Sequence, residues 1–330
     1  MNRISLERYL LGLDEVPRGW PAEALKAQAV AARTYLLWTL DQPPAGASAR
    51  YGFDICASTE CQVFSGADVV AEPDGPAWAR AVEGTAGQAV LYGGSPILAR
   101  YHSTSGGRTF ANERGFPGEP SYPYLRAVPS TTETGSSLYR WEVSIPLEHV
   151  GVMVRKAGWS KPSFGSLEGV TTPPTAPAFN PDVVFEHRRA RVVRSADEFR
   201  TLAAKLAPKL WPRLYPSRAP TSSGRLPETL PSERYESETR SGTVVFRGRG
   251  WGHGVGLSQW GAYGLAQKGF GYAEILAHYY PGTKLGAADT NQPIDVGLAW
   301  GRRLAMVEGN FRVTDGRGRT IGSSVGGAWT

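Results

Sequence analysis

Sulfur is scarce in this 330-residue chain, which has two cysteines and three methionines. Cys56 and Cys61 lie close enough to form a small-loop disulfide or half of a metal site. No histidine occurs between Arg33 and Tyr101, so a local Cys/His zinc site lacks nitrogen ligands. A disulfide is the favoured reading, with free thiols next, and it implies an oxidising compartment. The five histidines (His102, His149, His187, His253, His278) are dispersed and form no His-Glu-x-x-His pattern, which argues against metal hydrolysis. Ser103 and Ser105 are available, but no Gly-x-Ser-x-Gly elbow presents a serine nucleophile. No apolar run approaches the roughly 18 residues of a membrane span. Met1-Asn2-Arg3-Ile4 leads directly into an amphipathic segment without a signal-peptide pattern. On that reading the chain is cytoplasmic or lacks its leader. No internal repeat is evident.

What is abundant is glycine (40), proline (25), tyrosine (14) and tryptophan (10). The first two predict many turns and irregular connections. The aromatics fill cores, and they also make surfaces that stack on sugar rings or bases. Hydrophobic content of 41% and charged content of 20% fit a folded chain long enough for one large domain or two smaller ones. The net charge of +6 favours anionic partners. The only dense basic run, 187–194, alternates like an exposed strand face. No basic-aromatic module appears, so no nucleic-acid partner is expected.

Patterning predicts a mixed α+β fold. Ser5 caps a short helix over 6–13, and Pro17 and Gly19 break it. An alanine-rich helix follows over 21–40, with Pro21 at its first position. Ala22, Leu25, Ala29, Ala32 and Leu36 form a close-packing face. Lys26 and Arg33 lie two turns apart on an adjacent one. Strands are expected at 62–64, 89–92, 97–102, 141–145, 183–193 and 243–246. Helices are expected at 77–85, 147–157, 195–206 (opened by a Ser-Ala-Asp-Glu capping box), 257–267 and 273–280. The stretches 162–181 and 221–238 read as linker or weakly structured, and the tail after Gly286 as β-hairpin material.

Two features carry chemistry. Glu15 sits with Asp14 on the break between the first two helices, where an acid can point into a groove. The glycine run from Gly248 to Ala262 lacks the Gly-Lys-Ser/Thr ending of a nucleotide loop and the dinucleotide spacing. No cofactor is therefore expected. The run is either a tight turn where backbones approach closely or a cleft wall on which His253 and Gln259 offer polar contacts. With nucleophilic and metal chemistry poorly supported, acid/base work by one carboxylate remains.

Several blocks resemble the stage II sporulation protein D family, which includes amidase-enhancer relatives. They are Leu10-Leu11-Gly12, Glu15-Val16-Pro17 and the segment from Trp20 to Tyr35, then Cys61-Gln62-Val63-Phe64-Ser65-Gly66. Tyr101-His102-Ser103-Thr104-Ser105-Gly106-Gly107, Pro123-Tyr124-Leu125, the run 248–262 and the segment 275–282 follow. The match runs over about 5–285 in the family's order and is poor over 140–240. The resemblance implies a catalytic domain over 1–290 with a divergent inserted lobe at about 140–240, and a β-rich tail over 291–330. It implies an extracytoplasmic lytic transglycosylase acting on peptidoglycan strands stripped of peptides. In that reading Glu15 protonates the bond between N-acetylmuramic acid and N-acetylglucosamine, then accepts the muramyl 6-hydroxyl proton as a 1,6-anhydro ring closes. Most glycosidases need two carboxylates; this reaction can use one, and Asp14 becomes a bystander. Substrate contacts are expected from Lys26, Gln28, Arg33, Tyr101, Ser103, Ser105, His253 and Gln259, with the two cations facing the muramyl carboxylate. Some relatives hold zinc at the cysteine segment through histidines that are absent here, so no metal is expected. The other reading is a glycan-binding activator of a separate cell-wall amidase.

Overall fold

The alanine-rich helix, Ala22–Leu40, organises a computed structural model that describes residues 1–173, 179–215, 228–301, 307–315 and 318–329. Pro21 stands just before the first helical turn rather than inside it. Small side chains let neighbours approach on every side, so the helix is buried almost all round. Leu25, Ala29, Ala32 and Leu36 pack into one apolar core with Leu6, Tyr9, Leu10, Trp78 and Ile294. Ala27, Val30 and Ala31 enter a second core with Leu98, Leu125, Leu257, Ile275 and Tyr280. The helices Gly75–Glu83, Gln259–Gln267 and Tyr272–Tyr279 all pack on it.

The fold is α+β, with strands gathered into several small sheets. Asn2–Ser5 pairs antiparallel with Pro293–Gly297, which pairs parallel with Ile55–Cys56. The segment 293–297 is therefore the centre of a sheet in the first core; it does not belong with a separate tail. The reason is its apolar alternation, which places Ile294 and Val296 inside. Gln88–Tyr92 pairs with Ser95–Pro96 and Lys284–Ala287. The expected strand over 97–102 narrows to Tyr101–His102, in parallel with Leu257–Ser258.

A third core draws on residues between Trp141 and Phe246. Trp141–Pro146 and Tyr235–Arg240 flank Thr243–Gly248. Leu167–Thr171 and Ala190–Ser195 flank Asp182–His187. The helices Leu147–Lys156 and Ala196–Leu210 close the lobe over Phe185, Phe199 and Phe246. Ser195 makes its reciprocal cap with Glu198. The 162–181 stretch is not simply a linker, because it contains the strand Leu167–Thr171; residues 174–178 lie outside the described ones. Within 221–238, residues 221–227 also lie outside them, and Tyr235–Arg240 is a strand. The tail forms the hairpin Val307–Thr314 with Thr320–Trp329. Among the described residues no helix is long and apolar enough to cross a membrane.

Candidate active site

The break after the first helix, Leu6–Leu11, is zipped to the segment that follows the cysteines. Ser65 and Gly66 donate to the Gly12 carbonyl, and Asp14 N–H donates to Val63 O at 2.9 Å. Gly12 has to be glycine, since a Cβ there would lie 2.4 Å from the Phe64 ring. Phe64 in turn stacks on Tyr9 at 5.1 Å. A disulfide joins Cys56 to Cys61, directly ahead of Gln62 and Val63.

This zipper holds Glu15. Its Oε1 accepts from Val63 N–H at 2.7 Å and from the Tyr101 hydroxyl at 2.9 Å. Behind Tyr101 stands Gln62, fully buried, whose Nε2 donates to the Tyr101 oxygen at 3.0 Å and to the Ala32 carbonyl at 3.2 Å. Gln62 Oε1 accepts from the Tyr9 hydroxyl at 3.0 Å. Among the described residues nothing is hydrogen-bonded to Glu15 Oε2, and the side chain keeps partial exposure. Burial pushes the carboxyl up to about 7, against the downward pull of Val63 and Tyr101; the Asp14 charge adds a smaller upward push. Asp14 itself is exposed and pairs with Arg18 at 3.1 Å and Ser65 at 3.3 Å. Burial also raises the Tyr9 and Tyr101 hydroxyls, so both remain O–H donors at neutral pH.

The two cations expected to face substrate are otherwise engaged. Arg33 is fully buried and clasps Glu7 through Nε and Nη2, both at 2.8 Å. It also donates to Thr85 Oγ1 and to the Gln88 and Val82 carbonyls. A guanidinium on a helix buried all round must find its partners inside, and Glu7 from the first helix supplies the charge. Lys26 pairs with Glu23 at 2.7 Å and lies 5.6 Å from the Tyr272 ring centre. Neither cation is among the groups that move the Glu15 carboxyl.

Gln28 and Gln259 meet at 3.4 Å in the core. Ser105 is buried and donates to Glu133 at 2.5 Å, with Gly106 N–H on the other carboxylate oxygen; its hydroxyl is a structural anchor and does not face a cleft. Ser103, half-buried, contacts Thr104 Oγ1 at 3.4 Å, and its carbonyl accepts from Trp260 N–H. His253 Nδ1 accepts from Val255 N–H. Burial and the Arg100 charge lower His253 to about 3, so the imidazole is neutral. It lines a 410 Å³ cavity with Phe116, Phe179, Arg200 and Glu233, and Glu15 is not on that wall.

The glycine run is first of all a place of close backbone approach. Gly256, at φ 73°, would put a Cβ 2.0 Å from the Arg100 carbonyl. Trp251 and Thr104 exchange backbone hydrogen bonds across the run. Sequence reasoning missed Arg234, whose buried guanidinium binds the Thr104, Ser105 and Gly252 carbonyls and so ties this run to the Ser103–Gly107 turn. It also missed Gln62 and Tyr9. The signal for Gln62 was a lone amide directly ahead of the apolar pair Val63 and Phe64. Trp20, five residues after Glu15, forms a cluster of half-buried rings with Trp260 and Tyr263, with centres 5.1–5.3 Å apart.

A family model described as "Stage II sporulation protein" matches residues 1–92, the span that holds Glu7, Glu15, Arg33, Gln62 and Val63. Stage II sporulation protein D of Bacillus amyloliquefaciens is 28% identical over 303 residues, covering 88% of this chain and 76% of that protein. The chain is thus similar to stage II sporulation protein D along most of its length. An uncharacterized protein of Brachyspira hyodysenteriae is 28% identical over 289 residues, 86% of this chain and 67% of its own length. The amidase enhancer of Bacillus subtilis is 28% identical over 298 residues; that alignment takes in 82% of this chain but 39% of the relative. These alignments run well past the N-terminal block into the segments that carry Tyr101 and the glycine run.

Proposed function

We propose that the protein is a lytic transglycosylase of peptidoglycan strands and that Glu15 is its acid and base. The observation that carries this reading is one carboxyl with two different oxygens. Oε1 is held by two donors, and Oε2 is left free to carry a proton. A pKa of about 7 matches the demand on a group that must give a proton and then take one back at neutral pH. In the first half, Oε2–H protonates the glycosidic oxygen and the bond to C1 breaks. In the second, the carboxylate takes the proton of the muramyl 6-hydroxyl as that oxygen bonds to C1. Glu15 ends protonated as it began, and no water is consumed. Val63 and Tyr101 stabilise the carboxylate between the two halves. Asp14, tied to Arg18 on the surface, is poorly placed to activate a water as hydrolysis would require.

The half-buried ring cluster of Trp20, Trp260 and Tyr263 supports glycan as the substrate, because aromatic faces stack on the apolar faces of sugar rings. The disulfide supports an extracytoplasmic location. The name of the amidase-enhancer relative favours a second reading, in which the same cleft binds glycan and stimulates an amidase without cleaving. Mass analysis of products from peptide-stripped strands separates the readings. The transglycosylase gives anhydro ends, about 18 Da lighter than hydrolysis products, and Glu15→Gln gives none. Ordinary reducing ends would replace it with hydrolysis. Intact strands together with faster turnover by an added amidase would replace it with the activator.

A further inference from the structure

The buried amide behind Tyr101 has a role that reaches Glu15. Gln62 could in principle sit either way round, with its oxygen or its nitrogen toward Tyr101. The Ala32 carbonyl decides between them. It can only accept, so the amide side that faces it must be Nε2. The same Nε2 faces the Tyr101 oxygen at 3.0 Å, and both of its hydrogens are thereby used. Gln62 Oε1, on the far side, takes the Tyr9 hydroxyl. Tyr101 therefore meets a donor on one side, and Glu15 is the acceptor left for its own hydrogen.

We propose that Gln62 is a positioning residue: pinned by the Ala32 carbonyl of the alanine-rich helix, its amide compels Tyr101 to donate to Glu15 Oε1, leaving Oε2 as the oxygen that carries the transferable proton. Val63 N–H, an obligate donor to the same Oε1, works in the same direction. An acceptor in place of the Gln62 amide nitrogen would let Tyr101 turn its hydrogen away, and Glu15 would lose one of the two hydrogen bonds that favour its ionised form. The effect rests on the direction of hydrogen bonds and needs no movement of backbone. It adds to the function proposed above a reason why the acid is reactive at one oxygen only.

The test is a carbon NMR titration of the full-length protein labelled at the glutamate side-chain carboxyl, with the Glu15 signal assigned by its loss in Glu15→Gln. Wild type is expected to titrate near 7. Gln62→Glu offers Tyr101 an acceptor and is expected to move Glu15 upward by about one pH unit or more. Gln62→Met, which tolerates burial better, is expected to move it upward by less. Tyr101→Phe is expected to reproduce the upward shift. In the Tyr101→Phe background, Gln62→Met is expected to add nothing, because its influence passes through the lost hydroxyl. A merely structural role for Gln62 would give additive effects. An unchanged Glu15 titration in folded Gln62→Met, or additivity in the double variant, overturns the proposal. The titration needs no substrate, so its outcome is independent of strand cleavage. Coupled shifts in a protein that leaves strands intact would uphold Gln62 and reject the transglycosylase; cleavage with uncoupled shifts would do the reverse.

Discussion

Glu15→Gln is expected to make the protein more stable in alkali while abolishing its chemistry. The carboxyl titrates from its ordinary 4.5 in the unfolded chain and at about 7 in the native one. The folded value is the higher, so the native state binds the proton more tightly. Glu15 therefore supports the fold fully below pH 4.5, and that support is lost as pH rises through 7. From one limit to the other the loss amounts to about 3 kcal/mol. Glutamine keeps the Oε1 acceptor for Val63 and Tyr101 and never ionises, so the variant escapes the loss. Urea unfolding followed by tryptophan fluorescence should find the two proteins alike near pH 4. The variant should be ahead by about 1 kcal/mol at pH 5.5 and by about 3 kcal/mol at pH 8. Stability differences that do not grow with pH would mean that the carboxyl is well hydrated, and the argument for a neutral acid would fall.

The Arg33–Glu7 pair predicts an asymmetry. Glu7→Gln leaves a fully buried guanidinium without its counter-ion and should cost about 3 kcal/mol in thermal or urea unfolding. Arg33→Met leaves a carboxylate whose side chain is already 30% exposed and can hydrate, so it should cost less. Equal losses would place the energy in packing and not in the charge. In the ring cluster, Trp20→Ala and Trp260→Ala should raise the KM for glycan strands several-fold with kcat little changed, since stacking is remote from bond breaking. A fall in kcat at constant KM would instead assign these rings to holding Glu15.

The elements built on local signals were legible in the sequence: the alanine-rich helix, the Ser195 cap, strands near 141–145, 183–193 and 243–246, and Glu15 on a break between helices. Long-range consequences were hidden. Helical spacing put Arg33 and Lys26 on one side, but which side meets substrate depends on what packs there. A helix of small residues buried all round left Arg33 only an interior partner. Gln62 looked like one polar residue beside the apolar Val63 and Phe64. Its meaning appears only when Tyr9, Ala32 and Tyr101, from three separate stretches, converge on it. The Ser105 hydroxyl, expected on a cleft, is consumed by Glu133 for the same reason: loop residues 28 apart in sequence meet through tertiary contacts that no local pattern encodes.

The central strand Pro293–Gly297, paired with both Asn2–Ser5 and Ile55–Cys56, sets an order of events in folding. A chain emerging from the ribosome has made Asn2–Ser5 and Ile55–Cys56 long before it has made the strand that joins them. Such a sheet carries a large loop-closure cost, which slows folding and leaves the early edges open in the meantime. The lobe at 141–248 closes upon itself and can be finished first. The sheet of Asn2–Ser5 and Ile55–Cys56 must then wait for nearly the last of the strands, and a nascent chain stalled before residue 293 would leave both of these edges unpaired.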